Sequence, residues 1–94
     1  MDTYDWIIGV CNTREDGVRL FRFRGSKDEV KEQLFSLINE DREIDKEIWS
    51  YGCERLEDIC AVDNGLGYEL YAYGVYLDYH IDYTAKEFSY IDFV

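Results

Sequence analysis

The sequence predicts an α+β domain, in which one main helix packs on one face of an antiparallel sheet of four to five strands, in the order β-β-α-β-β-β. Three observations predict this class. Several stretches alternate apolar and polar residues with a period of two, one stretch has the spacing of an amphipathic helix, and Asp-Gly and Asn-Gly pairs separate neighbouring strands. The length of 94 residues predicts a single domain, residues 1–94.

Two strands joined by a hairpin turn are predicted at the start of the chain. The first covers residues 3–11 and the second covers residues 18–24, with an Asp-Gly pair in the turn between them. In the second strand Phe21 and Phe23 share one face, while Leu20 falls on the other. This mixed pattern predicts either a bulge or partial cover of both faces.

The helix is predicted to begin with the capping box Ser26-Lys-Asp-Glu29, in which the serine oxygen and the glutamate carboxylate each accept from a backbone amide. Apolar residues follow at helical spacing and predict the face that packs on the sheet: Val30, Leu34, Leu37 and Ile38. Asp41 takes the next inward position, which predicts an end near Glu40. The apolar spacing continues beyond it, so a second short helix through Trp49 stays as an alternative.

The longest stretch with a period of two is residues 68–83, which contains six of the nine tyrosines and the only histidine. We interpret it as one strand at the centre of the sheet, with its odd-numbered residues from Tyr71 to Tyr83 on one aromatic face. Its even-numbered residues are also apolar up to Tyr76. Because one helix covers only one face, the excess apolar surface favours a protein partner or a homodimer.

Two further strands flank this stretch. Residues 56–62 are predicted as a strand, joined to the tyrosine-rich stretch by the hairpin signal Asp63-Asn-Gly65. Residues 88–94 are predicted as the last strand. Between the helix and residue 56, the pair Tyr51-Gly52 is expected to interrupt regular structure.

Composition indicates a cytoplasmic protein without a membrane segment. No apolar run approaches the roughly 20 residues that a bilayer requires, and the start of the chain is acidic where a signal peptide is basic. Cys11, Cys53 and Cys60 are odd in number and lack CxxC spacing, so they predict reduced thiols and neither a disulfide framework nor a zinc site.

The formal net charge is −11, and it is divided unevenly, with +1 over residues 1–27 and −12 over residues 28–94. A field of this sign repels phosphate, so direct nucleic-acid binding is not expected, whereas a basic protein partner would be attracted. The basic residues near the second predicted strand are expected to pair with acids on neighbouring strands or to protect an edge: Arg14, Arg19, Arg22, Arg24 and Lys27.

The densest acidic segment lies between residues 40 and 63, which hold nine acids and three bases. We interpret it as a docking surface for a basic protein, with two aromatic anchors among the charges. The candidate binding residues are Glu40, Asp41, Glu43, Asp45, Glu47, Trp49, Tyr51, Glu54, Glu57 and Asp58. An inhibitor, a DNA mimic or an immunity-type module would use such a surface, and the alternative is a solvated helix end and loop.

Asp78, His80 and Asp82 are the candidates for an enzyme, because they alternate onto one face of the predicted strand. Carboxylates and imidazole are acceptable metal ligands, but the first and third positions lie about 13 Å apart on an extended strand. We therefore predict no metal, no cofactor and no catalytic residue. A small metal- or histidine-dependent enzyme remains one alternative function, and a structural homodimer remains another.

Three segments resemble a set of small acidic uncharacterised proteins of Gram-positive bacteria and their mobile elements. The segments are Arg24-Gly-Ser-Lys-Asp-Glu-Val30, Tyr51-Gly-Cys-Glu54 and Asp78-Tyr-His-Ile-Asp-Tyr-Thr-Ala85, and the likeness spans residues 18–86 at the level of motifs. The resemblance implies a bacterial cytoplasmic origin. It implies no catalytic residue, cofactor or substrate, because the set has no established activity.

Overall fold

The structure is a computed structural model that describes residues 2–63 and 67–87. Within this part of the chain, one six-stranded antiparallel sheet packs against one α-helix, which confirms the predicted α+β class. The elements in chain order are β1 (Tyr4–Asn12), β2 (Arg19–Gly25), α1 (Lys27–Ile44), β3 (Trp49–Gly52), β4 (Cys60–Asp63), β5 (Tyr68–Tyr76) and β6 (His80–Glu87). Single turns of 3-10 helix lie at Lys46–Ile48 and Leu56–Asp58.

The strands are arranged in the order β2-β1-β6-β5, and both β3 and β4 pair with the outer edge of β5. β3 pairs with the end of β5, where Tyr51 is opposite Val75, and β4 pairs with its first half, where Cys60 is opposite Tyr71. β3 and β4 therefore form one edge strand that is interrupted by the loop of residues 53–59. An interrupted edge offers a poor template for pairing with another chain.

The tyrosine-rich stretch is two strands, so its prediction as one strand was wrong. β5 ends at Tyr76, a two-residue turn follows, and the Tyr76 amide donates to the carbonyl oxygen of Tyr79 at 2.8 Å. This turn makes every even-numbered residue of β5 the partner of an odd-numbered residue of β6, as in the pair Ala72 and Tyr83. Partners across a sheet share a face, so the buried residues change from even to odd numbers at the turn.

The core lies between α1 and one face of the sheet. Its largest fully buried side chains are Trp6, Tyr83, Ile8, Leu34, Ile38, Leu70, Val10 and Val30. Burial of each such side chain contributes roughly 1.5–3 kcal/mol relative to exposure. The indole of Trp6 is also satisfied, because its Nε1 donates to the Gly25 carbonyl oxygen at 3.0 Å.

The start of α1 confirms the predicted capping box, whereas its end differs from the prediction. The helix continues to Ile44, about one turn beyond Glu40, and a 3-10 turn ending at Ile48 takes the place of a second α-helix. Asp41 does not end the helix because its carboxylate has partners at the inward position. It accepts from the Tyr83 hydroxyl at 2.6 Å and pairs with Arg19 at 3.0 Å.

The remaining strand predictions have mixed outcomes. The strand predicted at 56–62 is β4, which begins only at Cys60 because a 3-10 turn precedes it, and the short strand β3 was not predicted. β4 and β5 pair antiparallel, as the hairpin signal indicated, although its turn residues and the strand predicted at 88–94 lie outside the described residues. β1 and β2 pair without a register shift, so no bulge accounts for the mixed pattern of β2. Leu20 is 69% exposed, whereas Phe23 on the other face is partly buried.

Among residues 2–63 and 67–87, no helix has the length and apolar character that crossing a bilayer requires.

Replacing Ser26 by alanine should lower the free energy of unfolding by about 1 kcal/mol, because the amide of Glu29 loses its acceptor. Urea denaturation followed by circular dichroism measures this loss. Ser36 lies exposed on the same helix, so Ser36→Ala is the matched control and should be neutral or slightly stabilising. Equal effects of the two substitutions would contradict the role of the cap.

Candidate functional site

The second half of the acidic segment forms the edge of the sheet at β3 and β4, whereas its first half is the end of α1, which contacts Arg19 and the β5–β6 hairpin. The segment includes the last turns of α1, the 3-10 turn after it, β3 and the loop of residues 53–59. Arg42 of α1 ties the loop to the helix, since its Nη1 donates to the Cys53 carbonyl oxygen at 3.0 Å. The Cys53 thiol is buried at this junction, and burial raises its pKa.

Two of the candidate aspartates, Asp41 and Asp45, lie one helical turn apart, and each contacts a tyrosine and an arginine of the same chain. Asp41 accepts from the Tyr83 hydroxyl and pairs with Arg19, while Asp45 accepts from the Tyr79 hydroxyl and pairs with Arg14 at 3.3 Å. Each set joins the helix, a tyrosine of the β5–β6 hairpin and an arginine near the start of β2. The end of α1 is therefore held on the sheet by two parallel Tyr-Asp-Arg contacts.

The two tyrosines of these contacts are titratable groups held in their neutral form. Burial, together with the hydrogen bond to Asp41, raises the pKa of Tyr83 far above its ordinary value. Burial and the bond to Asp45 raise the pKa of Tyr79 in the same way. The guanidinium of Arg14 also lies 4.0 Å from the centre of the Tyr79 ring, a cation–π contact. These tyrosines therefore serve as hydrogen-bond donors at any physiological pH.

Asp58 has a local structural role in the loop. One of its oxygens accepts from the amides of Glu54 and Arg55, each at 3.1 Å, and the other accepts from the Arg55 guanidinium at 3.3 Å. The backbone hydrogen bonds lower the pKa of Asp58, with the Arg55 guanidinium adding to the effect. The carboxylate therefore fixes the shape of the loop between β3 and β4.

The two predicted aromatic anchors occupy different environments. Trp49 is half-buried, with its ring edge-on to Tyr76 at 5.4 Å and beneath the guanidinium of Arg42. It also lies directly against Gly74, where a Cβ atom would come within 2.8 Å of its ring. Tyr51 is 59% exposed and contacts Tyr73 edge-on. Trp49 thus packs within the fold, and Tyr51 is at the surface.

The five candidate glutamates are all exposed: Glu40, Glu43, Glu47, Glu54 and Glu57. Glu43 forms a surface ion pair with Lys46 at 3.1 Å, and the side chains of the other four make no ion pair or hydrogen bond within the described residues. We call these five residues the acidic edge. They are the part of the predicted docking surface that the fold leaves available to a partner.

Asp78, His80 and Asp82 do not form the strand arrangement on which the enzyme alternative depends. Asp78 lies in the turn between β5 and β6, where its carboxylate is 3.9 Å from Arg14. His80 and Asp82 share a face of β6, with 3.4 Å between imidazole Nε2 and a carboxylate oxygen. In the part of the chain that the structure describes, no group of three His, Cys, Asp or Glu residues is placed to hold a metal ion.

A groove on the sheet face opposite α1 was missed by the sequence reasoning. Its volume is about 500 Å³, and we call it the tyrosine groove. Its lining side chains are Asp58, Cys60, Tyr71, Tyr73, Asp82 and Thr84. The alternation in β5 and β6 contains the signal for this surface, but only once the turn at residues 77 and 78 is recognised. Before that, Tyr71 and Tyr73 share a predicted face with Tyr83, which is buried beneath the helix.

The internal aspartates and the exposed glutamates should respond differently to loss of charge. Asp41→Asn weakens the contacts to Tyr83 and Arg19, so we expect a loss of about 1–3 kcal/mol in the free energy of unfolding. Glu40→Gln removes the same charge from the neighbouring exposed residue and should change stability by less than about 0.5 kcal/mol. Urea denaturation at neutral pH measures the stability of both variants. Equal losses of stability would contradict the distinction between internal aspartates and exposed glutamates.

Asp58 should make the stability of the protein depend on pH. Its pKa is lower in the folded state than in the unfolded state, so its contribution is complete above the unfolded value of about 4 and is lost as pH falls through the folded value. We expect the difference in urea midpoint between wild type and Asp58→Asn to be largest near pH 7 and to shrink below about pH 4. Glu57→Gln is the control for an exposed neighbour. A difference that does not shrink between pH 7 and pH 3 would refute the assignment.

Comparison of the chain with protein-family models, curated proteins and solved structures gives no match.

Proposed function

We propose that the protein acts in the cytoplasm by binding a basic protein partner, as an inhibitor or an immunity-type module. The observation that supports this most directly is the division among the acids of residues 40–63. Asp41, Asp45 and Asp58 are used by the fold, whereas the glutamates of the acidic edge extend into solvent. A fold that needs only the aspartates for its own contacts leaves the glutamates available for recognition.

Electrostatics supports a basic partner over an acidic one or a nucleic acid. The net charge of −11 repels phosphate and speeds encounter with a positively charged surface. Three arginines of the N-terminal region are already paired with carboxylates: Arg14 with Asp45, Arg19 with Asp41 and Arg24 with Asp5. Their charge is therefore compensated locally.

The acidic edge has the chemistry of an inhibitor that covers a cationic cleft. Its exposed carboxylates are distributed over a helix end, a 3-10 turn and a loop, and together they present several negative charges to solvent. A DNA mimic or an immunity protein relies on that property. The aromatic ring of Tyr51 lies at the surface of β3 and adds an apolar contact.

The test compares two charge-neutralised variants of the full chain against the captured partner. The first carries Gln at Glu40, Glu43, Glu47, Glu54 and Glu57. The second removes five exposed charges elsewhere, by amide substitution of Asp2, Glu15, Asp16, Asp28 and Glu32. The partner is captured from the source cell at low salt, identified by mass spectrometry, purified and titrated by calorimetry at several salt concentrations.

We expect a basic partner whose affinity falls steeply with salt. The acidic-edge variant should bind it at least about 10-fold more weakly than wild type, since each lost surface ion pair costs about 0.2–1 kcal/mol. The control variant should lose much less, because its charges lie outside the contact. Equal weakening of the two variants, or binding that is insensitive to salt, would refute the proposed surface.

A further inference from the structure

The tyrosine groove lies on the face of the sheet that α1 does not cover. Tyr71 on β5 is opposite Cys60 of β4 and Thr84 of β6, and Tyr73 is opposite Asp82. The two rings are 41% and 49% exposed. A concave, mostly apolar surface with a few polar groups is the usual form of a recognition site.

Tyr71 and Tyr73 present two partly exposed aromatic rings on the same face of β5. Alternate residues of a strand are about 7 Å apart on the same face. Carbon atoms in van der Waals contact are about 3.5–4 Å apart, so a flat group in the groove can lie against the exposed ring of either tyrosine. The faces of tyrosine rings attract cations, and this protein uses the same contact internally between Arg14 and Tyr79.

Carboxylates border the groove on two sides. Asp82 enters it from β6 and Asp58 enters it from the loop between β3 and β4. Beside the groove, the Tyr71 hydroxyl donates to Glu69, which also pairs with Lys86 at 3.0 Å. The bond from Tyr71 lowers the pKa of Glu69 and raises the pKa of Tyr71, so the tyrosine stays neutral and the carboxylate stays ionised. Arg55 compensates Asp58 and Lys86 compensates Glu69, so the negative charge of the groove comes mainly from Asp82, which lies 3.4 Å from His80.

We infer that the tyrosine groove holds an arginine side chain of the basic partner, an inference that rests on the proposed function. A guanidinium is planar, stacks on aromatic rings and donates in pairs to carboxylates such as Asp82, whereas the ammonium of lysine does neither. A second copy of this chain is a poor occupant, because each copy carries a charge of −11. The groove adds a specific contact to the broad attraction of the acidic edge.

The test uses a peptide with a single arginine in a glycine-rich sequence, titrated into the ¹⁵N- and ¹³C-labelled full chain. A control peptide with citrulline in place of arginine keeps a planar group but has no charge. A second control peptide with lysine keeps the positive charge but has no planar group. We expect the arginine peptide to shift the resonances of Tyr71, Tyr73 and Thr84, with a smaller response to lysine and none to citrulline. Tyr73→Leu should weaken binding about five-fold, and Tyr73→Phe should leave it nearly unchanged.

The possible results separate this inference from the proposed function. Shifts confined to the acidic edge, at Glu54 and Glu57, would refute the groove and leave the proposed function standing. If the acidic-edge variant loses partner binding while Tyr73→Leu binds the partner as wild type does, the groove would again be refuted and the proposed function would stand. An equal response to arginine and citrulline would also overturn the inference. Groove resonances that move with protein concentration alone would show that a second copy occupies it, which would refute the arginine site.

Discussion

Within residues 2–63 and 67–87, the arrangement of the protein depends on one constraint, which is that a single 18-residue helix covers one face of a six-stranded sheet. The covered face holds the buried side chains, among them Trp6, Leu70 and Tyr83. The opposite face keeps its aromatic residues in contact with water, including Tyr71 and Tyr73. A sheet with helices on both faces buries both sides, whereas among the described residues α1 covers only one face of this sheet.

The same helix also determines how the acids are used. Its last turns lie over the end of the sheet, where Asp41 and Asp45 face the hydroxyls of Tyr83 and Tyr79 and the guanidinium groups of two arginines. A partly buried carboxylate is stable only with partners of this kind. The neighbouring glutamates face outward, where water solvates them at no cost to the fold. Within the last turns of α1, helical periodicity therefore separates Asp41, which contacts the sheet, from Glu40 and Glu43, which are exposed.

The sequence alone was sufficient where the signal is local. The capping box at Ser26 and the apolar spacing from Val30 to Ile38 depend on residues within a few positions of one another, and both are present as predicted. The prediction of one strand over 68–83 failed because the local pattern carries no sign of the turn between β5 and β6. A two-residue turn without glycine or asparagine leaves the apolar alternation unbroken, because the hairpin moves the buried side from even to odd positions without a gap in the pattern.

Composition and periodicity thus determined the α+β class, the position of the helix and the negative charge of the second part of the chain. Only the tertiary structure decided which acids are available. The partners of Asp41 lie 22 and 42 residues away, at Arg19 and Tyr83, and no local pattern encodes contacts between such distant positions. The groove has the same origin, since Asp58, Tyr73 and Asp82 meet only through the register of β5 with β6 and the path of the loop beside them. Sequence patterns report which face of an element is apolar, whereas packing decides which of those faces is covered.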